Sequence, residues 1–270
     1  DLGLCPERWR ELAGSLTDIF HVAAQVSFLQ SADALAAANV FGTESVLRLA
    51  SEGQRKRVHA ISTLSVFRSG YTTDDVVTEE TRPRGGARWP TGLAESKWQV
   101  EQRLWQARDR GLPVSIFRPA TLIGHYRTGV SDPRSYFWLF VKACLAMGCV
   151  PELSYELPLV PVDYAAAAVA ALAHRPLAAS AHHLLGDVGL NSHRFHQLLG
   201  ELGYGVERAA LPAWRERLRT VFDADDLALR AMKSFALAAK RPADDLFDMG
   251  GMPKVGGEAT ARHLAHLGVT

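Results

Sequence analysis

The sequence has 270 residues, 47% of them hydrophobic and 22% charged, with 30 basic residues against 29 acidic ones for a formal net charge of +1. That length buries a sizeable core as one large domain or one domain with an appendage, and so even a charge balance argues against nucleic acid or a membrane surface as the main partner. No apolar run approaches the ~20 residues of a membrane span, and the opening at Asp1 has neither the basic start nor the apolar follow-on of a signal peptide.

The chain opens without an initiator methionine, so the numbering is expected to start inside a larger polypeptide. In chain order, Asp18-Ile-Phe-His-Val-Ala-Ala24 is predicted as a short buried strand ending in small residues. Residues 32–52 carry a helical pattern, and Arg57-Val-His-Ala-Ile-Ser-Thr63 is the next strand. Residues 68–92 are mostly polar, with Pro83, Gly85, Gly86 and Pro90, and read as a loop longer than the usual ~2 to 6 residues. Lys97 to Arg110 follows as a helix, and Pro113-Val-Ser-Ile-Phe-Arg118 as a third strand closed by Pro119. This alternation predicts an α/β fold with a doubly wound parallel sheet.

Beyond about residue 124 the rhythm changes. An aromatic-rich helix is predicted over 135–149, and a Pro-punctuated strand at Leu157-Pro-Leu-Val-Pro-Val-Asp163. Asp163 is expected to cap a helix over the alanine run. A short strand follows at His182-His-Leu-Leu185, and residues 192–270 read as mostly helical, broken at Gly200, Gly203, Pro212 and Gly250-Gly251. The expected organisation is a dinucleotide-binding region over 1–125 and a substrate-side region over 126–270. The strands near 157–163 and 182–185 are expected to return to the main sheet. Of the three cysteines, Cys144 and Cys149 sit in an apolar run and read as buried free thiols; with Cys5 they form no zinc-like spacing, no metal site is expected, and a reducing cytoplasmic setting fits.

Three segments carry chemistry. Ile61-Ser-Thr-Leu-Ser-Val-Phe67 ends a strand in a hydroxyl cluster, Gly92-Leu-Ala-Glu-Ser-Lys97 opens a helix, and Arg118-Pro-Ala-Thr-Leu-Ile-Gly124 follows the next strand. In a doubly wound sheet the first and third lie at carboxyl ends of strands, where ligands bind, and the long loop can bring the second beside them. Thr63 is either a site hydroxyl or a strand-end hydroxyl bonded to backbone, and Lys97 either a site lysine or a solvated one. His21 is as readily a satisfied core histidine as a cofactor-lining one. Asn39 reads as structural. His125 and Tyr126 follow the third segment and are candidates for the crevice. Tyr136, Phe137, Trp138 and Phe140 read as core.

Taken in order and spacing, these segments resemble the thioester reductase domains that terminate nonribosomal peptide synthetases, polyketide synthases and carboxylic acid reductases, within the extended short-chain dehydrogenase/reductase superfamily. The matching stretches are Asp1-Leu-Gly, Phe20-His-Val-Ala-Ala24, Ala38-Asn-Val-Phe-Gly-Thr43, Ser62-Thr-Leu-Ser-Val-Phe67, Ala94-Glu-Ser-Lys-Trp98, Arg118-Pro-Ala-Thr121 and Leu159-Val-Pro-Val-Asp-Tyr164.

The resemblance implies NADPH as cofactor and, as partner, an acyl or peptidyl carrier protein bearing a phosphopantetheine-bound thioester, released as aldehyde or alcohol. It gives Thr63 the role of binding the carbonyl oxygen and Lys97 that of holding the ribose and lowering a tyrosine pKa. Asp1, Leu2, Ala23, Ala24, Lys97, Pro119, Ala120 and Thr121 fall at its cofactor-binding positions. The tyrosine position, four residues before the lysine, holds Leu93, and the Gly-rich turn that binds pyrophosphate has no counterpart in the sequence. The chain is therefore expected to be part of a longer reductase. Two other readings remain open: redox-independent release by Dieckmann-type cyclisation, which needs an oxyanion site but no hydride, and a non-catalytic carrier-binding remnant. The C-terminal region, with Trp214 and residues 223–240, is expected to shape the acyl side.

Overall fold

A computed structural model describes residues 2–28, 30–153, 155–174, 181–187, 189–220 and 252–269. Helix α1 (Pro6–Ser15) opens the chain with Pro at its first turn, where a missing N–H costs nothing, and buries Trp9 and Ala13. Strand β1 (Asp18–His21) leads to α2 (Ala32–Ala36), capped by Ser31, whose side chain accepts the Ala34 N–H. A π turn (Ala37–Phe41) passes into α3 (Gly42–Ser51), so the helical pattern predicted over 32–52 is one stretch with a bulge. Strand β2 (Arg57–Ile61), a 3₁₀ turn (Leu64–Phe67) and the two-residue β3 (Val76–Val77) precede α4 (Gly92–Asp109). Helix α4 opens at Gly92, at the head of the Gly92–Lys97 segment read as a helix start, because Thr91 accepts the Ala94 N–H and ends the polar loop. Strand β4 (Val114–Pro119) is buried at every position.

The chain continues through β5 (Thr121–Ile123), α5 (Tyr136–Met147), β6 (Cys149–Glu152), β7 (Leu157–Pro161), α6 (Val162–Ala173) and β8 (Ala181–Leu184). It closes with β9 (Gly189–Leu190), α7 (Ser192–Glu201), β10 (Glu207–Ala210), α8 (Leu211–Thr220), β11 (Lys254–Val255) and α9 (Glu258–His266). None of the described helices is long and apolar enough to cross a membrane.

The chain divides into two units. The first takes in Asp1–Ala120, Tyr164–Leu184 and Met252–Thr270. Its sheet is parallel throughout, in the order β1-β2-β4-β8, which makes the fold α/β and Rossmann-like. Val58, Ala60, Val114 and Ile116 from the sheet pack with Val46 of α3 and Val100, Leu104 and Trp105 of α4 into one core. At roughly 1.5–3 kcal/mol per fully buried large apolar side chain, this layer is what holds the two helices against the strands. The loop over 68–92 is anchored by a parallel pairing of β3 with β11.

The second unit takes in Thr121–Asp163 and Leu185–Gly251. It contains a three-stranded sheet, β5-β7-β9, and a two-stranded parallel sheet, β6 with β10. Phe140 of α5 stacks on Phe195 of α7 at 5.7 Å, and Trp214 of α8 is fully buried with its indole N–H on the Cys149 carbonyl at 3.2 Å. Cys144 and Cys149 are buried free thiols, and burial pushes the Cys144 thiol well above its ordinary range.

Several expectations change. Strand 181–184 does join the main sheet, as the neighbour of β4, but 157–161 pairs with β5 and β9 instead. Two of the five residues of β7, Pro158 and Pro161, have no N–H to donate, and β7 lies between the short strands β5 and β9 in a separate sheet. Asp163 is the second residue of α6 and so lies inside its first turn, past the N-cap position expected for it, and its carboxylate accepts the Tyr126 N–H at 2.9 Å. Pro212 does not break a helix: it is the second residue of α8, where its N–H is not needed. Strands β10 and β11 interrupt the stretch read as helical, and the predicted Gly250-Gly251 break and the 223–240 segment lie outside the described residues.

Candidate active site

Two of the residues singled out by sequence, Lys97 and Thr63, come to the carboxyl end of β2. Lys97 lies in the second turn of α4 and reaches to the last residue of that strand, its Nζ donating to the Ile61 carbonyl at 2.9 Å. Burial lowers its ammonium pKa to about 8, with the Glu101 carboxylate pulling the other way. Thr63 follows two residues after the strand in an extended conformation, φ −161° and ψ 154°. Its Oγ1 accepts the Ser65 N–H at 3.2 Å and donates to Ser65 Oγ at 3.3 Å. Leu93 is half-buried, one turn before Lys97 on the same helix face.

The helix start is fixed by close packing. A Cβ at Gly92 would collide with backbone at Gln30, Ser31 and Ala32, so only glycine lets the loop after β1 lie against α4. Asn39 ties the same elements. It is buried, accepts the Gln25 N–H at 2.8 Å, and donates to the Gln25 carbonyl and to Ser96 Oγ, each at 3.1 Å. Ser96 Oγ donates in turn to the Leu93 carbonyl at 2.9 Å. The structural role read for Asn39 is thus what it does.

His21, the last residue of β1, is 2.9 Å from Thr43 Oγ1 through Nε2. Thr43 spends its single hydroxyl proton on the Asn39 carbonyl at 2.6 Å, so His21 must donate and carries its proton on Nε2. Burial first, and then the Lys97 charge, lower its pKa and keep it neutral. Ala24 is half-buried and Ala23 exposed just beyond, at the carboxyl end of the strand next to β2.

Sequence reasoning missed the buried network under this edge. Glu101, one turn after Lys97, receives Arg118 of β4 through two nitrogens, Nη2 at 2.7 Å and Nε at 3.0 Å, and Ser62 Oγ at 2.5 Å. Both members of the ion pair are fully buried. Arg118 Nη1 also lies 3.2 Å from His183 Nε2. Because Arg118 can only donate, His183 accepts there and donates from Nδ1 to the Gly256 carbonyl at 2.6 Å. Burial and the Arg118 charge lower the His183 pKa to about 4. A signal was present: Glu101 interrupts the apolar stripe of Val100, Leu104 and Trp105, and a carboxylate there requires a buried partner.

Pro119 and Ala120 are buried at the carboxyl end of β4, with the Ala120 N–H on the Leu184 carbonyl at 2.9 Å. Ala23 and Ala24, Thr63, and Pro119 and Ala120 therefore lie at or just beyond the carboxyl ends of three adjacent strands, and Lys97 reaches the same end of β2 from α4. Thr121 opens β5 in the second unit. Leu2 is exposed and has a left-handed φ of 52°, and Asp1 lies outside the described residues. In the second unit, His125 Nδ1 is 3.4 Å from Asp163, and Tyr126 is 82% exposed.

The model of an NAD-binding family described as "Male sterility protein" matches residues 1–169. The chain is similar to aldehyde reductase lnaA of Aspergillus flavus, 35% identical over 217 residues, covering 76% of this chain and 21% of that protein. It is similar to an isonitrile lipopeptide synthase of Streptomyces coeruleorubidus, 34% identical over 221 residues, covering 81% of this chain and 15% of that protein. Among solved structures, the terminal R domain from the myxalamid PKS-NRPS biosynthetic pathway superposes with a TM-score of 0.88 at 29% identity, covering 100% of this chain and 69% of that one. The chain thus spans about a fifth or less of these two curated relatives.

Proposed function

The chain belongs to this NAD-binding family, within the extended short-chain dehydrogenase/reductase superfamily, and we propose that it forms the lysine-and-threonine side of a chain-release reductase acting on an acyl or peptidyl thioester. The thioester is carried on the phosphopantetheine arm of a carrier protein in a cytoplasmic assembly line. The observation that carries the reading is the convergence of Lys97 and Thr63 on the carboxyl end of β2.

The residues at this edge fit the nicotinamide half of NADPH. Lys97 keeps ammonium donors beyond its bond to Ile61, and Ala23 and Ala24 offer no side chain that would block a close approach. When bound, the cofactor supplies the hydride. Thr63 has a hydroxyl proton that can turn from Ser65 Oγ to a carbonyl oxygen. Lys97 places a positive charge where negative charge develops on that oxygen. With Leu93 where the family has tyrosine, Lys97 is also the acid at this edge, and a pKa of about 8 suits it to give up a proton near neutral pH.

Leu93 favours a second reading, redox-independent release by Dieckmann-type cyclisation, in which Lys97 and Thr63 stabilise an oxyanion and no hydride moves. The test is to incubate the natural protein that carries this chain with an acyl-pantetheine thioester and NADPH, following cofactor oxidation, free thiol and carbonyl product together. Matched oxidation and thiol release with aldehyde or alcohol formed is the expected result. Thiol release with NADPH untouched would transfer the assignment to the second reading, and a surviving thioester would reject both.

A further inference from the structure

At the far end of α4 from Lys97 lies a cleft of about 480 Å³ between α3 and α4. Arg48 and Glu44 stand on the α3 side with Arg55 just beyond it, Arg103 and Arg110 on the α4 side, and Leu112 contributes to the apolar lining. Four guanidinium groups against one carboxylate leave this cleft a surplus of three positive charges, whereas the surplus of the whole chain is one.

The arginines are only partly engaged. Arg103 Nε pairs with Glu44 across the two helices at 2.7 Å, Arg48 lies 3.5 Å from Glu52 and over the Trp9 ring, and Arg55 donates to the Gly111 carbonyl at 3.2 Å. Each guanidinium has five N–H donors, so each retains some for a ligand. All four side chains are on exposed residues. Spacing makes the surface selective. Arg103 of α4 and Arg110, the residue that caps its C-terminus, are seven residues apart, about 10.5 Å at 1.5 Å per residue. Carboxylates seven residues apart on a partner helix have the same rise. A helix laid along the groove of two packed helices sets its side chains, not its backbone, into a cleft of this size.

We propose that the α3–α4 cleft docks an acidic amphipathic helix of a protein partner, one that presents carboxylates at seven-residue spacing beside a small apolar ridge. A second copy of this chain is a poor occupant, because it would bring the same cationic surface against itself. The proposal does not depend on the catalytic reading, since the cleft lies along the opposite half of α4.

The test uses two labelled helical peptides of identical composition on the natural protein. One carries glutamates seven residues apart flanking leucine and alanine; the other has the glutamates scrambled. Fluorescence anisotropy is expected to show the patterned peptide binding at least about tenfold more tightly, and weakening as ionic strength rises. Arg110→Glu is expected to reduce its affinity by about tenfold or more. Arg103→Gln, which keeps most of the side chain's volume, serves as the second variant, with circular dichroism to verify folding. Equal binding of the two peptides, no binding of the patterned one, wild-type affinity in both folded variants, or self-association through this face would each overturn the proposal.

Discussion

Lys97 is held in surroundings that disfavour its charge. Its pKa of about 8 in the folded chain stands below the ordinary 10.5, chiefly through burial. Between those two values the unfolded chain binds more protons than the folded one, so stability rises with pH across that window. The wild-type protein is expected to gain about 3 kcal/mol from this group between pH 8 and 10.5. Lys97→Met is expected to lack that gain, and denaturant unfolding of both proteins at several pH values measures the difference. A lysine that costs stability at neutral pH is what an active-site group commonly does. Leu93 raises the complementary question. Leu93→Tyr places a phenol one turn before Lys97 and is expected to raise NADPH oxidation by roughly tenfold or more, within the range of a restored general acid. No gain in a folded Leu93→Tyr protein would show that this position alone does not set the rate.

At the scale of elements, α4 does the most. Its first turn carries Leu93, its second Lys97, and its third Glu101, while Val100, Leu104 and Trp105 fix it to the sheet. The Glu101–Arg118 pair locks α4 to β4, and Ser62 joins β2 to the same carboxylate. Breaking such a pair leaves a buried charge without compensation. Arg118→Met is expected to lower stability by about 3–5 kcal/mol, read from urea unfolding. An unchanged midpoint would mean that water or His183 replaces the guanidinium. The sequence made α4 visible through its apolar stripe and Lys97 through its motif. It did not show which buried cation answers Glu101, because Arg118 lies 17 residues away on another element. The π turn at 37–41 was equally illegible: a one-residue bulge leaves helical periodicity nearly intact.

At the scale of the molecule, the first unit is discontinuous in sequence. Residues 252–269 return to it from the far end of the chain. Beyond the β3–β11 pairing, the Thr260 N–H donates to the Glu79 carboxylate at 2.8 Å, across 181 positions, and the Gly256 carbonyl receives His183. Removing residues 252–270 is therefore expected to destabilise the N-terminal unit itself, by roughly 2–6 kcal/mol, since His183 and Glu79 would each lose a buried partner. Thermal unfolding followed by near-UV circular dichroism checks this. An unaltered transition would show that the C-terminal segment only rests on the unit. The domain plan of 1–125 and 126–270 follows the change of rhythm near residue 124, whereas the units of the fold interleave, with 164–184 and 252–270 joining the first. No local pattern announces that kind of return, because the contacts that define it are long-range.

The sequence by itself determined the parallel α/β architecture, since period-2 and period-3.6 apolar patterns are properties of neighbouring residues and each element must bury the face they create. It also determined the family, through short motifs whose order and spacing survive in one dimension. Tertiary structure alone decided which carbonyl Lys97 reaches, which tautomers His21 and His183 adopt, and which strand 157–161 pairs with. Those outcomes depend on hydrogen-bond partners distant in the chain, and a buried donor or acceptor is satisfied only by what packing brings beside it.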